Sequence, residues 1–398
     1  MKIKFNNTDK WYKVYKKLNK EQKYKYILET VSCDLPAKFF EKIDILSFVT
    51  NTFGYLTDMK LYEEMIELYD RLYRWKEHID EWYYLETFLI DYYLYCGNIS
   101  EVKKHLESFQ SEPVASIDIF IPVFDKLVYY GYSDLTLDIS LRMFDKIKDA
   151  PGLLSGSERQ FGWIIYMEKL QSVYSDLKRN IPVDRNAIVK YLEKYDFEPE
   201  LYIDMTIDVL SPENELWPDY EIYQKDTSDF FHCLMLLFCR HMLDSKNVSF
   251  ATSHDIWDVF TYCIRLDTPD SVPVMNYDNV FELDVRRYDD EISGRMGYIS
   301  NKYTCGFAAA WGIVYIYDFL YNHGYISEGV YHDALETIQT IKIKIISGIA
   351  NHLWKNNFVN IWGKPDSNAA EEFTSIKEIF DESFKRDEGT GPSSLIKS

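Results

Sequence analysis

Between Thr57 and Ala150 the apolar residues recur three and four positions apart, the spacing that puts side chains on one stripe of a helix. Leu61, Met65, Leu68 and Leu72 form one such stripe. Ile99, Val102, Leu106 and Phe109 form a second, and Leu135, Ile139, Leu141, Met143 and Phe144 a third. The second and third stripes each follow a glycine. Tyr92-Tyr93-Leu94-Tyr95-Cys96-Gly97 is echoed 34 residues later by Lys126-Leu127-Val128-Tyr129-Tyr130-Gly131. Each run reads as a helix end at which Gly supplies a left-handed residue, so the pattern predicts helix, turn, helix, twice. Pro113 and Pro151 then mark points where a helix cannot easily continue.

A helix-turn-helix period of this length resembles the tetratricopeptide repeat. With Gly97 at the turn, Leu89 and Tyr93 fall where that family carries Leu and Tyr, and Phe120 falls on an aromatic position of the next unit. The chain departs from the pattern at other positions. Ile90 and Phe124 stand where a small residue allows close helix packing, Glu86 replaces the first aromatic, and Val102 and Thr136 replace Ala. The resemblance covers about residues 57–150. It implies stacked helical hairpins with a groove for an extended peptide or a partner helix.

The same periodicity continues on either side. Phe39, Phe40, Ile43, Leu46 and Val49 mark a helix pair after Pro36, and helices are predicted at 157–177, 183–195 and 199–210. Pro212 and Pro218 flag a boundary at 211–220. Beyond it, Thr227–Leu243 is apolar nearly all round, as for a helix enclosed by others. The small residues of Cys305-Gly306-Phe307-Ala308-Ala309-Ala310-Trp311-Gly312 predict a helix in close contact with a neighbour. Helices are also predicted over 327–354 and 368–384. The expected architecture is all-α: an irregular, tetratricopeptide-like α-solenoid over 30–210, then a helical bundle over 221–385. A basic N-terminal helix or arm occupies 1–29, and 386–398 is a loose tail.

Charge adds an asymmetry. The chain of 398 residues carries −20 overall, yet its first 25 residues hold nine lysines against Asp9 and Glu21, leaving −27 elsewhere. Trp11, Val14, Tyr15 and Leu18 give this basic stretch one apolar face. Lys10, Lys13, Lys16, Lys17 and Lys20 are the candidate contacts to an anionic partner, nucleic acid included. An acidic body favours basic partners instead.

Candidate chemistry is sparse. The six cysteines are scattered without the C-x-x-C spacing of a zinc or redox site, as for reduced thiols in a cytoplasmic protein. His232, Cys233, Cys239 and His241 share one helix, but its geometry turns the two histidines to opposite faces and sets His232 about 10 Å from Cys239. No metal and no cofactor is indicated. The apolar runs Phe230–Leu243 and Tyr303–Tyr317 fall short of the roughly 20 residues a bilayer requires, and the N-terminus lacks the apolar core of a signal peptide. Phosphate loops, G-x-S-x-G and H-E-x-x-H are absent. Residues 267–302 read as a long irregular segment holding Asp278, Glu282, Asp284, Asp289, Asp290 and Glu291 beside Arg286, Arg287 and Arg295. An enzyme site, if there is one, belongs between that segment and the bundle. The leading expectation is a scaffold or adaptor that binds a basic protein or peptide, anchored by Tyr92, Tyr95, Tyr129 and Tyr130.

Overall fold

A computed structural model of the chain describes residues 7–199, 202–213, 217–219, 222–223, 226–264, 277–297, 302–367 and 369–386, with side chains from 376 onward in the last stretch. Among the described residues there is no strand, and the one isolated β-bridge joins Ile264 to Leu283. The α-helices run in order α1 (Thr8–Tyr15), α2 (Lys20–Ser32), α3 (Ala37–Ile43), α4 (Ile45–Asp58), α5 (Tyr62–Tyr73), α6 (Tyr83–Tyr95), α7 (Ile99–Ser111), α8 (Pro113–Tyr129) and α9 (Ser133–Ile147). They continue with α10 (Arg159–Lys178), α11 (Arg185–Glu193), α12 (Ile203–Leu210), α13 (Thr227–His241), α14 (Phe250–Cys263), α15 (Asp278–Phe281), α16 (Val285–Arg295), α17 (Tyr303–Asn322), α18 (Glu328–Gly348) and α19 (Ala369–Phe384). A π-turn over Met242–Lys246 extends α13, and 3-10 turns over Ala350–Asn360 follow α18.

The helix boundaries follow local chemistry. Asn19 and Gln22 form a reciprocal capping box at the start of α2, and the side chains of Asn98, Asp226, Asp284 and Ser327 cap α7, α13, α16 and α18. Gly97 and Gly131 take φ of 68° and 75° directly after α6 and α8, the turn expected of them. Pro113 opens α8 as its first residue, where its missing N–H costs nothing.

Backbone contacts divide the chain into two compact units. One comprises Met1–Ile119, Ala350–Lys355 and Ile379–Ser398; the other comprises Phe120–Ile349 and Asn356–Glu378. In the first unit, α1 to α6 surround a continuous apolar core that includes Trp11, Ile27, Phe40, Phe53, Leu68 and Leu85. Trp11 stacks on Tyr15 and donates its indole N–H to Thr30 Oγ1 at 3.0 Å. The hairpin of α6 and α7 is built around Glu86, 1% exposed.

In the second unit, α17 is the central helix: every residue from Phe307 to Leu320 is buried. It packs against α18, α14, α16 and α13. A Cβ on Gly312 would sit 2.5 Å from Ile256 Cδ1, and one on Gly306 would sit 2.8 Å from Met296 Cγ. At both glycines a side chain would force its neighbours to shift, so their lack of a Cβ is what allows these close crossings. Asp318 on this helix is buried and accepts from the Tyr331 hydroxyl and the Asp366 backbone N–H, both at 2.7 Å. Among the described residues, no helix is long and apolar enough to cross a membrane.

Candidate partner-binding pocket

One concave site of the second unit is a pocket of about 290 Å³ between α10, the stretch after α11, and the starts of α12 and α13. On α10 the inward stripe is carried by Phe161, Ile164, Ile165 and Leu170, all buried. Trp163 lies off that stripe and is 41% exposed. Tyr166, nearly one turn later, meets it edge to face with ring centroids 5.5 Å apart. Phe197 packs on both, at 5.4 Å and 4.8 Å. Tyr202, at the residue before α12 and 45% exposed, extends the wall toward His232.

The facing wall is the first turn of α13, with Ser228 and Asp229 followed by His232. The free N–H groups of that turn are already engaged, because Asp226 Oδ1 accepts from Ser228 N at 2.8 Å and Asp229 N at 3.1 Å. An anion therefore finds no open amide cradle there. Burial and the nearby His254 push the His232 imidazole down to about 4, so it is uncharged at neutral pH. Its Nε2 lies 3.3 Å from Thr206 Oγ1. A base that weak is a poor proton acceptor for catalysis at neutral pH. What the pocket offers is the exposed Trp163 and Tyr202 rings, Trp163 with one face already stacked on His254 at 4.9 Å, and two carboxylates, Asp229 and Glu198, beside them.

The residues singled out from the sequence lie elsewhere. In the first unit, Tyr92 and Tyr95 are half-buried. Tyr95 stacks on Phe384 at 4.0 Å and donates to Asp381 Oδ1 at 3.4 Å, while Tyr92 stacks on Tyr62 at 5.4 Å. In the second unit, Tyr129 is 1% exposed and its hydroxyl donates to Asp255 Oδ2 at 3.4 Å. Tyr130 is half-buried and hydrogen-bonds Asn357. All four rings thus have partners within the chain. Lys10, Lys13, Lys16, Lys17 and Lys20 are exposed on α1, α2 and the turn between them.

The acidic stretch is more ordered than its composition implied. Residues 265–276 and 298–301 lie outside the described residues, but 277–297 holds α15 and α16. Asp284 caps α16 through Arg286 N and Arg287 N, both at 3.0 Å. Asp278 Oδ1 accepts from Ser327 N at 2.7 Å, Glu291 pairs with Arg295 at 2.6 Å, and Asp289 pairs with Lys344 at 3.3 Å. These carboxylates are held by caps and ion pairs. Among the described residues, no three His, Cys, Asp or Glu side chains come together to hold a metal ion.

His232 was legible only as a core histidine, and Trp163, Tyr166, Phe197, Tyr202 and Asp229 carried no motif. One signal was present: Trp163 and Tyr166 interrupt the polar face of an otherwise regular stripe. Comparison with protein-family models, curated proteins and solved structures finds no match to this chain.

Proposed function

We propose that the protein is a helical interaction protein that binds a basic partner, seating a cationic side chain in the pocket between α10, α12 and α13. The observation that carries this reading is the combination of outward-facing Trp163 and Tyr202 with Asp229, Glu198 and an uncharged His232. An ammonium or guanidinium group gains from aromatic faces and from nearby carboxylates, by about 0.5–2 kcal/mol per ring. A charged imidazole at the same place would repel it; a neutral one does not. The net charge of −20 draws basic ligands toward the chain as a whole.

The test is fluorescence anisotropy with a labelled lysine- and arginine-rich peptide, set beside the same peptide with its lysines acetylated and its arginines replaced by citrulline. Trp163→Ala, Tyr202→Ala and Asp229→Asn are each expected to weaken binding about 3- to 10-fold, the cost of one aromatic or charged contact. Asp138→Asn, which removes an equal charge from the exposed Asp138–Arg142 pair outside the pocket, is expected to leave binding nearly unchanged. Equal losses from Asp138→Asn and Asp229→Asn would reduce the interaction to bulk charge and refute the pocket.

A further inference from the structure

The first unit presents a second surface, of opposite sign. Nine lysines crowd the first 25 residues of a chain in which acids outnumber bases by 64 to 44. Carboxylate partners are abundant, yet among the described residues Lys10, Lys13, Lys16, Lys17 and Lys20 have none. In this stretch Lys25 does pair, with Glu21 at 2.5 Å. Several ammonium groups held on one short hairpin repel each other, and neutralisation from outside would relieve that repulsion.

The lysines also frame a shape. Two open troughs, of about 480 and 700 Å³, meet at Tyr15, Lys23 and Phe48. Lys13 and Lys16 line the larger and Lys20 the smaller; Lys10 and Lys17 line neither. Tyr12, Phe48 and Tyr55, all half-buried, form the aromatic floor together with Tyr15. The ammonium groups of Lys23 and Lys20 lie over the Tyr15 and Tyr55 rings at 4.9 and 6.0 Å. Asn51 adds a polar group with no base or acid character, and Asp9 and Asp58 are the acids at the margins.

We propose that this face binds a single-stranded nucleic acid, with Lys13, Lys16, Lys20 and Lys23 on successive phosphates and bases on the aromatic floor. Flexible lysine stems let Lys20 and Lys23 swing from the rings to phosphates, exposing the ring faces to bases. A groove of positive charge lined with aromatic rings is the general means of holding single strands, because every base has a face to stack. An acidic peptide would use the lysines but not the floor. An anionic membrane would need exposed apolar residues, and Val14 is the one large apolar side chain exposed on α1 and α2. The acidic remainder of the chain repels the strand and restricts it to this face.

The full-length protein is titrated into a labelled 12-nucleotide oligouridine, with polyglutamate of matched length and phosphatidylserine vesicles as parallel ligands. Four phosphate contacts predict roughly a 50-fold loss of affinity between 50 and 200 mM salt. Lys13→Glu combined with Lys16→Glu, both on exposed positions, is expected to weaken oligouridine binding at least 10-fold while circular dichroism stays unchanged. Tyr55→Leu is expected to weaken oligouridine binding and to leave any polyglutamate binding as it was. Absence of oligouridine binding at 50 mM salt overturns the proposal. So does equal or tighter binding of polyglutamate or vesicles, which would assign the face to an acidic protein or a membrane, and so does undiminished binding by the double variant.

Discussion

At the scale of single residues, the most committed side chain of the first unit is Glu86. Its carboxylate accepts from Tyr69 Oη at 3.0 Å, Trp82 Nε1 at 2.7 Å and Ser108 Oγ at 2.9 Å, and it pairs with His105. The repeat pattern places an aromatic at this position; here a carboxylate on α6 gathers partners from α5, from α7 and from Trp82 just before its own helix. Glu86→Ala leaves those donors buried without an acceptor. It is expected to lower stability by about 3 kcal/mol, read from the urea midpoint; a loss below about 1 kcal/mol would show the network to be dispensable. In the second unit, Glu168 is 8% exposed with Oε1 unpartnered, and burial raises its carboxyl from 4.5 to about 7. A raised folded pKa stabilises the fold fully below the unfolded value and loses that contribution as pH rises through the folded one. Stability contributed at this site therefore falls between about pH 4.5 and 7, by an amount on the order of 3 kcal/mol. His232 acts in the opposite sense, since its lowered pKa gives a contribution complete above 6.5 and lost as pH falls toward 4. The difference between wild type and Glu168→Gln across this window isolates the glutamate: the variant's profile should lack the decline, and superimposable profiles would contradict the assignment.

At the scale of elements, the glycines separate two kinds of constraint. Gly97 and Gly131 have open space where a Cβ would lie, so their requirement is the positive φ alone. Gly97→Ala is expected to lose about 1–2 kcal/mol, and Gly97→Asn less, because Asn tolerates the left-handed region. Gly312 has the reverse problem, a permissible helical backbone with Ile256 atoms 2.5 to 2.7 Å from any added Cβ. Gly312→Ala is expected to cost about 1–3 kcal/mol through overpacking, despite the better helix propensity of Ala. Pairing it with Ile256→Ala should recover part of that loss in a double-mutant cycle, and strict additivity would show that the crossing is not the cause. The glycine turns were legible because they are local. The identity of the residue opposite Gly312 was not, because helix α14 is brought there only by packing.

At the scale of the whole chain, a net charge of −20 predicts self-repulsion that salt screens. The melting temperature is expected to rise between 10 and 200 mM sodium chloride, while affinity for a basic peptide falls over the same range; a salt-independent melting temperature would mean the acids are already neutralised by pairing. The hydrophobic period, the caps and the glycine turns determined that the chain is all-helical and where most helices begin and end, because each is a relation among residues a few positions apart. The exposure of the first hairpin's lysines was likewise readable from spacing, since Trp11 and Tyr15 claim its inner face. Tertiary structure alone decided that residues 350–355 and 379–386 join the N-terminal unit, that the Tyr95 ring stacks on Phe384, and that Trp163, Phe197, Tyr202 and Asp229 converge on one pocket. Spacing along the chain reports which face of a helix is apolar, whereas which helix covers that face depends on the mutual fit of surfaces distant in sequence.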